Sequence, residues 1–136
     1  MTEIAVANMT LGNHRPMSLI GGMNVIESRD LVMRVAEAFV QATGELSLPY
    51  IFKASFDKAN RSSIHSFRGP GLDEGLTVLQ EVKQTFGVPV LTAVHAISHA
   101  APVAEVCDVS PVPSLCARLT GLIPAGGSLG EVTHAQ

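Results

Sequence analysis

Short apolar runs and stretches of helical spacing take turns along this chain, and that alternation constrains the fold more than any other feature. Met17 to Gly22 reads as a first core strand. Ser28 is then placed to cap a helix, with Asp30 in the first turn, where a carboxylate favours the helix dipole. Leu31, Val32, Val35, Ala36, Phe39 and Val40 recur at helical spacing, and Gly44 is a stop signal. Pro49 to Ala54 is a second strand. Asp73 and Glu74 open a second helix with Leu76, Leu79, Val82 and Phe86 on one face, and Gly87 ends it. Val88 to Val94 is a third strand. Ser98 and Pro102 begin a third helix through Val106, since proline is tolerated in a first turn. Val109 to Val112 is a fourth strand. Four strand–helix units of this kind predict an α/β protein with a parallel sheet. They also place Asn24, the segment after Ala54 and His95 beyond the C-terminal ends of strands, on one face.

Bulk properties limit the function classes. A chain of 136 residues has room for one domain, and 46% hydrophobic against 15% charged residues excludes compositional disorder. Aromatic residues are only 4%, so aliphatic side chains must build the core. A net charge of -3 argues against a nucleic-acid binder. Cys107 and Cys116 form no CxxC pair and read as reduced thiols. No apolar stretch is long enough to span a membrane, and Met1 to Thr10 lacks the pattern of a signal peptide, so the expected location is the cytoplasm. Ile4 to Val6 reads as a short strand and Asn13 to Pro16 as a turn. From Pro124 the chain becomes breaker-rich, which divides it into residues 1–123 and a tail, 124–136.

Against that acidic background, Phe52 to Gly71 concentrates Lys53, Lys58, Arg61 and Arg68, with Ser55, Asn60, Ser62, Ser63 and Ser66 as short donors between them. Cations and hydroxyls on a loop after a strand suit a phosphate or a carboxylate. The bland alternative is a solvated basic loop, because the segment is not a glycine-rich phosphate cradle. Asp57 reads as a carboxylate that caps the loop.

The string Lys53-Ala-Ser-Phe-Asp-Lys-Ala-Asn-Arg-Ser-Ser63 is long and specific. With Gly21-Gly22-Met23-Asn24-Val25-Ile26-Glu27-Ser28-Arg29-Asp30, Gly69-Pro70-Gly71-Leu72 and Lys83-Gln84-Thr85-Phe86-Gly87-Val88, it closely resembles the 3-deoxy-D-manno-octulosonate 8-phosphate synthases, also called 2-dehydro-3-deoxyphosphooctonate aldolases. The resemblance is strong from about Ser18 to Thr92 and extends to about Ile123. It implies a (β/α)₈ barrel with a hairpin beneath it, and a transferase that condenses phosphoenolpyruvate with D-arabinose 5-phosphate and releases phosphate, for lipopolysaccharide synthesis in Gram-negative bacteria. Carried over by motif position, Lys53, Ser55 and Lys58 line the phosphoenolpyruvate site, with Lys58 catalytic. Asn60, Arg61 and Ser62 hold the sugar phosphate, Arg61 and Ser62 reaching a neighbouring subunit in a homo-oligomer. Asn24 and His95 complete the substrate-binding set. Asparagine at position 24 marks the metal-independent members, whereas cysteine marks the metal-dependent ones, so the resemblance implies neither a metal nor another cofactor. The five histidines otherwise read as scattered and solvated.

A complete barrel takes about 250 residues, so 136 correspond to its first half, roughly four βα units. That leaves unpaired edges at the first and fourth strands. The chain also departs from the family pattern. Ala93 and Ala96 stand where the family has Asp and Glu around the Val-His pair, and Pro111 replaces a substrate-facing Gln and is awkward inside a strand. These changes predict a chain that is itself inactive. Two alternatives stay open: a catalytically dead fragment that at most binds phosphorylated anions, and another phosphoenolpyruvate-condensing aldol synthase. Val132-Thr133-His134-Ala135 matches a later family segment carrying an active-site histidine, over four residues only.

Overall fold

The computed structural model describes residues 3–58, 63–112 and 132–135. Two strands, β1 (Ile4–Val6) and β2 (Met9–Leu11), form an antiparallel hairpin turned at Ala7, whose φ is +50°. A parallel sheet follows, in the order β3 (Leu19–Gly22), β4 (Tyr50–Lys53), β5 (Val90–Leu91), β6 (Val109–Val112) and β7 (Val132–Ala135). Helix α1 (Arg29–Glu45) joins β3 to β4, and α2 (Leu72–Phe86) joins β4 to β5. A 3₁₀ turn (Ile97–His99) and α3 (Ala100–Val106) join β5 to β6. Among the described residues no helix is long and apolar enough to cross a membrane.

The helices form where the sequence signals place them, with small shifts at their ends. The Ser28 hydroxyl accepts a hydrogen bond from the Leu31 amide at 3.2 Å and caps α1. Gly44 does not stop that helix. It runs on to Glu45, the cap falls at Leu46, and Ser47 takes the left-handed backbone (φ +53°). Gly87 does end α2, left-handed at φ +65°. The third helix starts at Ala100 rather than Ser98, because a 3₁₀ turn occupies Ile97–His99 first.

The strands alternate between two cores. Tyr50, Phe52 and Val90 face the helices and pack with Val32 and Ala36 of α1, Leu79 and Val82 of α2 and Val103 of α3. Phe39 stacks on Tyr50 at 5.5 Å, and burial pushes the Tyr50 phenol up while its hydroxyl donates to the Gly21 carbonyl at 2.8 Å. Ile51, Leu91 and Val109 face the other way, where Val6, Met9 and Leu11 of the hairpin cover them. Lys83 donates to the Val106 carbonyl and to Asp108, while Asp108 accepts from the Val90 amide, so α2 is tied to the start of β6. Cys107 is buried; Cys116 lies outside the described residues.

The sheet corrects two expectations. The run expected as Val88 to Val94 is a strand only at Val90–Leu91, since pairing stops where the chain turns towards Thr92 and His95. The fourth strand is not an open edge. Val132–Ala135 lies parallel to β6, with Val109 opposite Val132 and Pro111 opposite His134. An unpaired edge recruits an available strand, and Val132-Thr133 is β-branched. The pairing of β5 with β6 is at Leu91 and Val109, so the ladder on that side has ended before Pro111, whose missing amide hydrogen is tolerated there.

Candidate functional site

The expected site residues gather at the C-terminal ends of β3, β4 and β5. Asn24 is exposed just after β3, Lys53 ends β4, Ser55 and Lys58 follow it, and His95 follows β5. Asn60, Arg61 and Ser62 lie outside the described residues.

The loops after β3 and β4 are held together by backbone contacts. The Met23 amide donates to the Lys53 carbonyl at 2.8 Å and the Ile26 amide to the Ser55 carbonyl at 2.9 Å. This fixes Asn24 beside the exit of β4. The close approach needs a glycine at position 22, where a Cβ would collide with the Lys53 carbonyl.

The segment after β4 is closed at its base. Arg68 donates from Nε to one Asp57 oxygen at 2.9 Å and from a terminal nitrogen to the other at 2.7 Å. The Lys58 amide donates to the Arg68 carbonyl at 2.7 Å, and the Gly71 amide to the Phe56 carbonyl at 3.0 Å. Gly69 has φ +122°, and a Cβ there would strike the Phe56 carbonyl, so only glycine lets the returning chain lie this close. Asp57 thus closes the loop, as a capping carboxylate would. Of the cations concentrated in this segment, Arg68 is paired. Lys53 and Lys58, by contrast, have no acidic partner among the described residues. Unpaired lysines beyond a strand end are what a phosphate or carboxylate requires.

His95 and His99 correct the picture of solvated histidines. Both are half-buried and meet the ring of Phe56 edge to face, at 6.1 and 5.3 Å. Among the described residues, the Nδ1 atoms of both, and Oγ1 of the fully buried Thr92, have no hydrogen-bond partner. Burial holds His95 below the ordinary histidine range; His99 and Arg68 depress it further, and Asp57 opposes them. The two changed positions flank this histidine: Ala93 is buried and Ala96 half-buried. Among the described residues no three His, Cys, Asp or Glu side chains converge as a metal would need.

Three features escaped the sequence reading: the Asp57–Arg68 pair, Phe56 as the ring shared by two histidines, and Thr92. Only the first had a usable signal, because Asp57 is the one acid between Phe52 and Gly71.

The DAHP synthetase I family model matches residues 1–132. A protein of Azotobacter vinelandii named 2-dehydro-3-deoxyphosphooctonate aldolase is 61% identical over 133 residues, which cover 98% of this chain and 47% of that protein. Proteins of the same name from Psychromonas ingrahamii and Chromobacterium violaceum are 60% and 57% identical, over 98% and 95% of this chain and 47% and 46% of their own lengths. The chain therefore spans about half the length of the curated relatives it matches.

Proposed function

The chain belongs to the DAHP synthetase I family, and from that premise we propose that the C-terminal end of its sheet binds phosphorylated anions as the phosphoenolpyruvate side of an aldol-type condensation with D-arabinose 5-phosphate. The relatives' name, 2-dehydro-3-deoxyphosphooctonate aldolase, supports aldol-type chemistry on a phosphorylated sugar acid. We read the parallel sheet as part of a (β/α)₈ barrel, with residues 1–123 as its N-terminal portion and 124–136 as a diverged tail. Lys53, Ser55 and Lys58 take the phosphoenolpyruvate, Asn60, Arg61 and Ser62 the sugar phosphate, and Asn24 and His95 border both. In the reaction, the enol carbon attacks an aldehyde, water adds to the former enol, and phosphate leaves. Cations that hold two anions together supply much of the rate by proximity and charge neutralisation.

The observation that carries this reading is the pair of lysines without acidic partners among the described residues, Lys53 and Lys58, at and beyond the end of β4. Turnover by these 136 residues is not expected. A hydrogen bond to a charged group contributes about 1.5–3 kcal/mol, and about 1.4 kcal/mol is a factor of ten in rate. Measured against the family pattern that the resemblance implies, alanine at positions 93 and 96 leaves out two carboxylates, an expected rate loss of roughly 10²–10⁴-fold on that scale.

Calorimetric titration with phosphoenolpyruvate and with inorganic phosphate at low salt is the test. Lys58→Ala is expected to weaken binding by about tenfold or more, and EDTA to leave it unchanged, as Asn24 in a metal-free site requires. Unchanged affinity in both Lys53→Ala and Lys58→Ala refutes the site. Arabinose 5-phosphate-dependent phosphate release refutes the inactive reading.

A further inference from the structure

We propose that Asp57 and Arg68 are a positioning pair: their bidentate contact locks the neck of the loop and sets the geometry of Lys58, beyond neutralising a surface charge. The proposal rests on the anion-site reading for its consequence, though not for its geometry.

Three contacts form a short ladder between residues 56–58 and 68–71. The Phe56 carbonyl takes the Gly71 amide, the Asp57 carboxylate takes the Arg68 guanidinium through both oxygens, and the Lys58 amide reaches the Arg68 carbonyl. Lys58 is therefore held at its backbone by the same residue whose side chain is held by its neighbour, Asp57. A second turn, from the Ser66 amide to the Ser63 carbonyl at 3.1 Å, folds the returning strand. Asp57 is less exposed than Arg68, 30% against 56% of the side chain, so the carboxylate is the anchored partner. A bidentate guanidinium–carboxylate pair fixes direction as well as distance, which a lysine at position 68 would not do.

The neck also faces the next loop. Asp57, Arg68 and His99 all act on the charge of His95, and Phe56, at the root of the ladder, carries both imidazoles on its ring.

Simple charge counting and positioning predict opposite results for one substitution. Asp57→Asn removes a negative charge beside Lys58. If charge alone mattered, anion affinity would rise. If the pair positions Lys58, affinity for inorganic phosphate falls, by about threefold to tenfold for a partly exposed pair. Three measurements test this on the full chain: phosphate titration, amide exchange at Lys58, and the NMR titration of His95. The expected results are weaker phosphate binding and faster exchange at Lys58 in Asp57→Asn, with both returned towards wild type when the pair is reversed (Asp57→Arg with Arg68→Asp). The His95 titration is expected to move down in Asp57→Asn and up in Arg68→Gln, which a loss of general stability would not produce. Equal or tighter phosphate binding with unchanged Lys58 exchange overturns the proposal. If the wild-type chain binds no phosphate, the anion-site reading falls, and amide exchange with the His95 titration still decides whether the neck is locked.

Discussion

Phe56 sits where three parts of the site meet, and its removal tests that arrangement most directly. The ring is 2% exposed, lies in the main core and touches His95 and His99. Its backbone leaves no space for a Cβ at Gly69, and its own Cβ leaves none at Gly75 of α2. Burying a phenylalanine removes roughly 150 Å² or more from water, about 4 kcal/mol at 25 cal/mol/Å². Neighbours held this tightly collapse little into the space left behind, so Phe56→Ala is expected to cost about 3–5 kcal/mol. With a urea slope of about 2 kcal/mol/M, the unfolding midpoint falls by roughly 1.5–2.5 M. Urea unfolding at low protein concentration is the assay. Ile64→Ala is the control, because Ile64 is 93% exposed on the same loop and is expected to change stability by less than about 0.5 kcal/mol. A Phe56→Ala loss below about 1 kcal/mol, or equal losses in the two variants, refutes the role of Phe56 as the junction.

Two further outcomes are expected. Ile20 is 49% exposed on edge strand β3, in register with the hairpin-covered Ile51; parallel strands are normally covered on both faces, so the chain is expected to self-associate there, and sedimentation over a hundredfold concentration range to show Ile20→Glu shifted towards monomer. A concentration-independent wild-type monomer would contradict this. Because His95 is held below its unfolded pKa, the unfolded chain binds more protons in the window just under pH 6.5, so stability is expected to fall as pH drops from about 6.5 through the lower folded value and then level off; His95→Gln should flatten that slope, and an identical slope in both proteins would refute it.

What was legible in the sequence was local. Ser28 as a cap, the apolar stripe of α2 and its end at Gly87 depend on neighbours within a turn or two, and the structure has them. The ends of strands were less legible, because pairing partners set them. Val88, Thr92 and Val94 are all β-branched and suit a strand, yet only Val90–Leu91 finds neighbours on both sides. The hairpin's cover over Ile51, Leu91 and Val109 spans most of the described chain, and no periodicity reports such a contact. At the site, the residue types were readable and their pairing was not. Lys53, Lys58 and Arg68 look alike in sequence; the structure separates them by giving Arg68 a carboxylate and, among the described residues, giving the lysines none.

On the proposed reading, that separation also divides binding from turnover. The contacts that hold Lys58 come from residues 56–71, and those that hold Lys53 and Asn24 come from β3, β4 and Leu91 of β5. None of them involves Ala93, Ala96 or Pro111. An anion site built on these contacts takes its backbone hydrogen bonds from the sheet as far as Leu91 and from the ladder of residues 56–71, and meets the loop after β5 only through the Phe56 ring and the charges of Asp57 and Arg68. The rim after β5 is less well satisfied: among the described residues Thr92, His95 and His99 each carry a buried polar atom without a partner, and the two positions flanking this histidine pocket that would carry acids by family pattern are alanines. An unpartnered buried polar atom costs about 1–3 kcal/mol, so this rim is the weaker of the two and the part on which a second substrate would depend. On the proposed reading, affinity for a phosphorylated anion and the ability to transform it rest on different residues of this chain, so the first is expected to survive changes that abolish the second.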